Sequence, residues 1–507
     1  MSSSIAGIIA AIVIYLGGML YIGYRFSKRT ETVGEFYLGG RKLGPLAAAM
    51  SAEASDMSSW LLMGLPGVAY LTGIADAAWT AIGLAVGTYL NWLIVAKKLR
   101  IYTAKVDAIT VPEFFSKRYH DNRNILCLIA AVIIVIFFVP YTASGFAACG
   151  KLFSALFNAD YHVAMIISAV VIITYTAMGG FMAVSITDLI QSIVMTIALI
   201  VILYFGIQSA GGTAAVAANA ESLAGYLSFT QIHDAVSGSA SRYTPLMILS
   251  TTAWGLGYFG MPHILLRFMA IEDENKLSIS RRVGTIWVII SMTVSVIIGI
   301  VGRAASANGV VPMLSGSDSE TIIVRFASLL AEHSFLTALI AGVVLAGILA
   351  STMSTADSQL LTASSAVSRD LMQGVFGVKM DKKQTLRVSR ITLVLVALVG
   401  VFFAWDSTSS VFRIVAFAWA GFGASFGPVV LLALFWKRSN KQGALAGMIA
   451  GGAMIFIWKF LVRPLGGVLD IYELLPAFLI ALAVNVIVSL LTPAPSREIQ
   501  KEFESIK

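Results

Sequence analysis

The continuous apolar run AAVIIVIFFVPYTASGFAA, residues 130–148, decides the fold class of this chain. Its length matches the ~20 apolar residues that an α-helix needs to cross a hydrocarbon core of roughly 30 Å. A second run, SIVMTIALIVILYFGI at 192–207, is equally continuous. A membrane barrel would instead show segments of ~10 residues in which apolar and polar residues alternate. We therefore predict an all-α polytopic membrane protein.

The composition of the whole chain supports the same fold class. Of its 507 residues, 58% are hydrophobic and 12% are charged, and the mean hydropathy is +0.85. An ordinary soluble domain has about a quarter charged residues. The first apolar run is too long for the apolar part of a signal peptide and lacks a basic segment before it, so we predict a retained helix. The predicted spans, about thirteen in number, are 5–24, 45–72, 74–96, 124–150, 161–179, 182–208, 246–270, 284–302, 335–367, 391–405, 411–436, 443–463 and 472–492.

Basic residues cluster in alternate loops between these spans. By the positive-inside rule those loops are cytoplasmic, which places the N-terminus outside and the C-terminus inside the cell membrane. Two nearly base-free loops, 209–243 and 304–334, are then external. The net charge of +8 follows from this topology, so no nucleic-acid partner is expected. The clusters are Arg25, Lys28, Arg29, Arg41 and Lys42; Lys97, Lys98, Arg100, Lys105, Lys117 and Arg118; Arg281 and Arg282; Lys379, Lys382, Lys383 and Arg387; and Lys437, Arg438 and Lys441.

The sequence lacks the side-chain patterns expected of an enzyme. Cys127 and Cys149 are too few for a disulfide framework and lack metal-ligand spacing, as do the five histidines. Neither a nucleophile–base pair nor a soluble domain of core-forming size is evident. We expect a protein that is not an enzyme, whose function lies in its membrane part and which needs no obligate protein partner.

Two carboxylates interrupt the apolar stretch MSAEASDMSSWLLMGLPG, residues 50–67. A charge at mid-membrane costs ~2.5–3.5 kcal/mol on insertion scales and usually marks an ion or substrate path. Asp56 is therefore a functional candidate; the alternative is an acid near a helix end that reaches the interface. Glu53 lies one helical turn earlier on the same face. Two such neighbours do not both ionise cheaply, so we expect one of them to carry a proton.

The same stretch favours a broken helix, because serines precede Gly64, Pro66 and Gly67. Irregular backbone at membrane depth is tolerated where it lines a cavity or is covered by protein, and its free carbonyls could bind a hard cation such as sodium. A kink needed only for packing is the alternative. A second interrupted stretch, TTAWGLGYFGMPHILLRF at 251–268, favours the cation site, because paired Gly/Pro-interrupted helices are typical of inverted-repeat transporters with a midplane site.

Further polar and aromatic residues extend this hypothesis. Ser351, Ser354, Thr355 and Ser358 share one helical face, which suits either a sodium site or ordinary hydrogen bonds within and between helices. Asp188 lies just inside a span, either on a cytoplasmic exit path or at a solvated helix end. The aromatic residues Trp60, Tyr141, Trp254 and Tyr258 could form the walls of a solute site or anchor the membrane interface.

Long stretches of this sequence closely resemble the sodium/solute symporter family. The matching segments are FYLGGRKLGP, SDMSSWLLMGLPG, VPEFFSKR, YTASGF, GGFMAVSITD, AWGLGYFGMPHILLRFMA, MSTADSQLL and AWAGFGASFGPVVLLALFWKR. The resemblance is closest to the branch that transports L-proline, and it covers nearly the whole chain. It implies a LeuT-like core of two inverted five-helix repeats, 45–208 and 246–436, after one extra helix, 5–24, and before two more, 443–492.

The resemblance also implies a sodium-coupled importer and assigns roles to particular residues. Sodium would be bound by the backbone carbonyls of Ala54, Met57 and Ser351 and the hydroxyls of Ser354 and Thr355. Asp56 matches an acidic residue that is essential near the ion site, and Asp188 matches one that some relatives use for a further sodium or for ion release. The proline would lie against Ser58, Tyr141, Trp254, Tyr258 and Pro262.

The chain departs from the pattern of proline symporters beside these positions. Glu53 and Ser59 replace glycines, Met261 replaces a glutamine, and Asp357 replaces a small neutral residue. Another small amino acid or a carboxylate therefore remains an alternative solute, and a proton remains an alternative coupling ion. A transporter-like membrane sensor is the alternative from a different functional class.

Overall fold

The computed structural model of this chain describes residues 3–27 and 32–506. Lys28 and Arg29, named above among the basic clusters, lie outside the described residues. The α-helices are α1 Ser3–Ser27, α2 Val33–Leu38, α3 Pro45–Asp56, α4 Leu65–Thr72, α5 Ile74–Leu90, α6 Ala96–Lys105, α7 Val111–Arg118, α8 Ile125–Phe157, α9 Tyr161–Gly179, α10 Phe181–Ser209, α11 Thr213–Ser222, α12 Pro245–Thr252, α13 Pro262–Ala270, α14 Leu277–Ala307, α15 Ile322–Ala331, α16 Phe335–Ser365, α17 Lys382–Phe403, α18 Val411–Phe435, α19 Lys441–Ile457, α20 Leu474–Leu491 and α21 Arg497–Glu504.

Shorter segments of other geometry join or extend these helices. The strands β1 Gln231–His233 and β2 Ala240–Arg242 pair antiparallel, with Ile232 opposite Ser241. The π-helical segments are Trp60–Gly64, Asn91–Val95, Ala366–Val375 and Trp458–Val462. The 3₁₀ segments are Gly39–Arg41, Ala253–Gly260, Glu274–Lys276, Gly316–Thr321, Arg463–Leu465 and Gly467–Leu469.

Ten helices within the described residues are long and apolar enough to cross a membrane. Two shorter apolar helices, Trp60–Thr72 and Tyr161–Thr174, coincide with two further predicted spans. The prediction of an all-α polytopic membrane protein is confirmed, and the chain is a multi-pass membrane protein. The total of thirteen spans and the boundaries of the two inverted repeats stay predictions.

The first interrupted helix breaks after Asp56, where α3 ends. Met57 leaves the helical region with φ −74° and ψ 54°, and its N–H donates to the Glu53 carbonyl oxygen at 2.8 Å. The chain resumes as the π-helical segment Trp60–Gly64 and then as α4. Every residue from Ala47 to Gly67 is buried, so this irregular backbone is covered by protein, as the membrane requires.

The second interrupted helix runs through α12, the 3₁₀ segment Ala253–Gly260 and α13. Its backbone packs directly on α5, because glycines face each other across the contact. A Cβ atom on Gly255 would overlap the carbonyl oxygen of Gly83, and a Cβ atom on Gly87 would overlap the backbone of Gly255. Glycine is needed at these positions because the two backbones approach each other without an intervening side chain.

Candidate functional site

Asp56 lies where the two interrupted helices meet. Its carboxylate accepts a hydrogen bond from the Tyr258 hydroxyl of the 3₁₀ segment Ala253–Gly260. Its backbone carbonyl accepts bonds from Trp60 Nε1 at 3.2 Å and from the Tyr141 hydroxyl at 3.4 Å. The side chain is only 1% exposed, so the interpretation of Asp56 as an acid that reaches the interface is wrong. Three of the predicted site residues, Asp56, Tyr141 and Tyr258, therefore converge.

Four of the five predicted sodium ligands lie where the end of α3 meets the middle of α16: Ala54 contacts α16 directly, and Ser351, Ser354 and Thr355 are joined by hydrogen bonds within α16. Ser354 Oγ lies 2.8 Å from the Ala54 carbonyl oxygen and 3.2 Å from the Ser351 carbonyl oxygen. Thr355 Oγ1 lies 3.1 Å from the same Ser351 oxygen. Met57, three residues after Ala54, is also buried, but in the described part of the chain its carbonyl is not bonded to either hydroxyl.

The chemistry of this group suits a hard monovalent cation. Its members offer neutral oxygens only, from two carbonyls and two hydroxyls, and hard cations prefer oxygen ligands. A transition metal would favour imidazole or thiolate ligands. Across residues 3–27 and 32–506, the structure contains no group of three or more His, Cys, Asp or Glu side chains that could hold a metal ion.

Asp188 belongs to a second polar cluster, which it forms with an arginine that the sequence analysis did not select. Asp188 Oδ2 lies 2.6 Å from Ser51 Oγ, 3.1 Å from Ser55 Oγ and 3.2 Å from Arg267 Nη2. The same guanidinium donates to Ser358 Oγ at 2.6 Å. Asp188 is fully buried, so the alternative of a solvated helix end is wrong. The sequence feature that could have indicated this ion pair is Arg267 itself, the lone charged residue in the apolar stretch HILLRF, residues 263–268.

The residues at which the chain departs from its family pattern are also buried. Glu53 Oε1 accepts hydrogen bonds from Thr88 Oγ1 at 3.0 Å and Trp92 Nε1 at 2.9 Å, which ties α3 to α5 and the segment that follows it. Asp357 is fully buried and is without an ion-pair partner in the described chain. Ser59 and Met261 are buried directly after the break in α3 and directly before α13.

The predicted substrate residues fall into two groups around Asp56. Trp254 belongs to an aromatic wall: its ring centroid is 6.1 Å from that of Trp60, 5.2 Å from that of Tyr472 and 5.3 Å from that of Phe412. Tyr258 adjoins this wall through Trp419, whose Nε1 donates to the Trp254 carbonyl oxygen at 2.7 Å. The four predicted aromatic residues, Trp60, Tyr141, Trp254 and Tyr258, are buried inside the protein, which argues against a role as interface anchors.

Ser58 and Tyr141, the second group, line a narrow crevice against α8 and α16. Thr355 of the proposed sodium group lines it too, together with Thr142, Thr352 and Gln359. Pro262, at the first position of α13, is buried but does not line this crevice. Sequence reasoning missed Thr142, Thr352 and Gln359, although Gln359 directly follows the hydroxyl-bearing face that it identified.

Comparisons with known proteins match nearly the whole chain. The family described as "Sodium:solute symporter family" matches residues 36–451. The osmoregulated proline transporter OpuE of Bacillus subtilis is 39% identical over 98% of this chain and 97% of its own. A sodium/proline symporter of Haemophilus influenzae is 40% identical over 97% of this chain and 96% of its own.

Two solved structures share the fold at low sequence identity. A sodium-coupled sialic acid symporter in a substrate-bound outward-open state superposes with a TM-score of 0.79, at 18% identity, over 97% of this chain and 99% of its own. The nucleobase-cation-symport-1 family transporter MHP1, in a closed conformation, gives a TM-score of 0.54 at 12% identity, over 93% of this chain and 98% of its own. These similarities confirm the LeuT-like fold class of the membrane core.

Proposed function

We propose that this chain, which belongs to the sodium:solute symporter family, imports L-proline together with sodium by alternating access. Relatives between 37% and 40% identical over nearly its whole length are named sodium/proline symporters. The family and these relatives are transporters, which supports a role in transport rather than catalysis. The basic loops support an N-terminus outside and a C-terminus in the cytoplasm.

The observation that carries the proposal is the direct contact between Ser354 Oγ and the Ala54 carbonyl oxygen at 2.8 Å. It places a freed carbonyl of the broken α3 against a hydroxyl of the unbroken α16. Sodium ligated by Ala54, Met57, Ser351, Ser354 and Thr355 would replace this hydrogen bond. Because the ligands belong to two helices, the bound ion would stabilise the arrangement in which α3 and α16 lie together.

Nearby acids would adjust the electrostatics of this site. Asp56 follows the Ala54 ligand by two residues and places a negative charge at the end of α3. Its carboxylate is fixed by Tyr258, which with Trp254, Pro262, Tyr141 and Ser58 would surround the proline. Asp188 and Glu53 are the further acids of the region; Asp188 would serve ion release or a second ion. The bound solute and the ion would thus share one segment of broken helix.

The energetics of such a symporter are sufficient for accumulation. One charge entering across 100 mV releases ~2.3 kcal/mol, and a tenfold sodium gradient adds ~1.4 kcal/mol. The sum corresponds to an accumulation of roughly several hundred-fold for each sodium ion.

A second candidate keeps the symporter and changes its solute or its coupling ion. Glu53, Ser59 and Met261 favour it, because all three are buried within or beside the broken segments, where they differ from the pattern of proline symporters. The solute would then be another small amino acid or a carboxylate, driven by sodium or by protons.

Uptake of radiolabelled L-proline into proteoliposomes tests the proposal. We expect accumulation under an inward sodium gradient and none when potassium replaces sodium. Sodium-dependent uptake of a different solute, without proline uptake, would overturn the proline assignment. In that case, we would attribute the changed solute specificity to Glu53, Ser59 and Met261. Proline uptake that needs a proton gradient but no sodium would overturn the assignment of sodium as the coupling ion.

A further inference from the structure

The crevice between α8 and α16 contains a polar side chain that the proposed function leaves unused. Gln359 is fully buried on α16, one helical turn beyond Thr355 of the proposed sodium group. Its Oε1 accepts a hydrogen bond from Thr142 Oγ1 at 3.2 Å. Its Nε2, which carries two N–H donors, has no hydrogen-bond partner among the described residues.

A buried hydrogen-bond donor without a partner lowers the stability of a folded protein, and the atom concerned here is Nε2 of Gln359. Buried polar groups in folded proteins are nearly always paired, since an orphaned donor loses its bonds to water without replacement. Gln359 lines the crevice that Ser58 and Tyr141 also line. Because Thr142 already bonds the amide oxygen, the group left without a partner is the N–H donor, Nε2. A ligand that completes this site must therefore offer a hydrogen-bond acceptor.

The position of the donor indicates which part of an amino acid it would meet. The crevice is also lined by Thr355, so an acceptor beside Gln359 would lie next to the proposed sodium ion. A carboxylate is the acceptor that gains most there, because it is attracted by the cation and forms charge-assisted hydrogen bonds with N–H donors. The aromatic wall of Trp254 and Tyr472 belongs to other segments of the chain and offers a separate surface for the apolar part of a solute.

We propose that Gln359 is a specificity-determining residue whose side-chain amide binds the carboxylate of the transported amino acid. Thr142 holds the amide in position by donating to its oxygen. The inference rests on the proposed function, because it takes the solute to be an amino acid carried with sodium. It adds a carboxylate contact from α16 to the solute contacts proposed for the two broken helices and for Tyr141 of α8.

The test compares Gln359→Leu and Gln359→Glu with the wild-type protein in proteoliposomes. The readouts are the half-saturating concentration of L-proline, and the concentrations of unlabelled L-proline and L-prolinamide that halve uptake. Losing a hydrogen bond to a charged group weakens binding by about tenfold or more. We expect both variants to need about tenfold more proline, while inhibition by prolinamide, which lacks the carboxylate, changes by less than about threefold.

Gln191→Leu is the matched control. Gln191 is also fully buried, and one atom of its amide, Oε1, is likewise unpaired, but it does not line the crevice. We expect its half-saturating proline concentration to equal that of the wild type. A general packing defect in the Gln359 variants would weaken proline and prolinamide by the same factor, and that result would overturn the inference.

Two other outcomes separate the inference from the function on which it rests. A larger change for prolinamide, which lacks the carboxylate, than for N-methylproline, which keeps it and alters the amine, would assign Gln359 to the other end of the solute and overturn the carboxylate contact. Absence of sodium-dependent proline uptake by the wild-type protein would overturn the proposed function, and this inference with it. Normal wild-type uptake with unchanged Gln359 variants would overturn the inference alone.

Discussion

Lys151 Nζ lies 2.8 Å from Glu320 Oε2, and both side chains are buried. The Glu320 carboxylate also accepts bonds from Ser410 Oγ at 2.7 Å and from the backbone N–H groups of Val411 at 3.1 Å and Phe412 at 3.2 Å. These N–H groups begin α18 and have no partner within that helix. One carboxylate thus joins α8, the segment before α15 and the positive end of the α18 dipole.

Removal of one member of this buried pair should destabilise the protein strongly. Glu320→Ala leaves the Lys151 ammonium buried without its anion, and such losses amount to about 3–5 kcal/mol. We expect a clearly lowered midpoint of thermal unfolding in detergent. The double variant Lys151→Met with Glu320→Gln should recover part of the loss, because no unpaired charge remains. Equal losses in the single and double variants would contradict this account.

Asp56→Asn should raise the sodium concentration needed for half-maximal uptake by about tenfold or more, because a negative charge beside the proposed ion site is removed. Sodium titration of proline uptake measures this. Tyr258→Phe is the matched control: it removes the hydrogen bond to Asp56 but keeps the charge. Its sodium dependence should change by less than about threefold. Unchanged sodium dependence in Asp56→Asn would remove Asp56 from the ion site.

Ser354→Ala should also weaken sodium dependence, by about tenfold, because it removes one oxygen ligand from a small set. The same sodium titration measures the effect. Ser364→Ala, ten positions further along α16, provides the control. Its hydroxyl bonds the Leu361 carbonyl of its own helix at 2.9 Å and contacts no proposed ligand. If both variants shift sodium dependence equally, the hydroxyl of Ser354 is not a ligand.

Asp188→Asn should lower the free energy of unfolding by about 3–5 kcal/mol, because Arg267 would keep its charge in a fully buried site. Unfolding of the purified protein by heat, followed by tryptophan fluorescence, detects the loss. Asp318→Asn changes an exposed acid in the segment Gly316–Thr321 and should fall within about 0.5 kcal/mol of the wild type. A shift as small as this in Asp188→Asn would show that the ion pair adds no stability.

The proposed orientation can be tested by labelling introduced cysteines with a membrane-impermeant maleimide. The native thiols, Cys127 and Cys149, are both buried, so background labelling should be low. We expect Val236→Cys, at a position 97% exposed, to react in intact cells. Lys379→Cys, in the exposed segment between α16 and α17, should react only after the membrane is opened. The reverse pattern would invert the proposed topology.

Local features of the fold were readable from the sequence because they depend on neighbouring residues. The glycines and prolines at 64–67 and 255–262 predicted that each helix is interrupted, since glycine, and proline inside a helix, weaken it. The first break lies earlier than these residues, at Met57, while Pro66 and Pro262 stand in the first turn of the helices that follow. Helical spacing alone placed Ser351, Ser354 and Thr355 on one face. What the face meets was implied only by family resemblance, and the structure brings Ala54 to it.

Long-range pairings could not be read in the same way. Arg267 and Asp188 are 79 positions apart, and Lys151 and Glu320 are 169 apart. No periodicity within one helix connects such residues, because the contact exists only after several helices have packed. The unpaired Nε2 of Gln359 was hidden for the same reason: Thr142, which bonds the Oε1 of the same amide, lies on another helix. Buried polar groups of this kind are visible as sites only when all their neighbours are known.

The glycine contact between α5 and the segment Ala253–Gly260 has a mechanical consequence. With backbone against backbone at Gly83, Gly87 and Gly255, no side chain can change rotamer to let one element slide past the other. A displacement of the 3₁₀ segment Ala253–Gly260 would therefore press directly on the backbone of α5. The helix α6 continues α5 after a short π-helical segment. A displacement of the aromatic wall around Trp254 would therefore be transmitted through α5 to the basic end of α6.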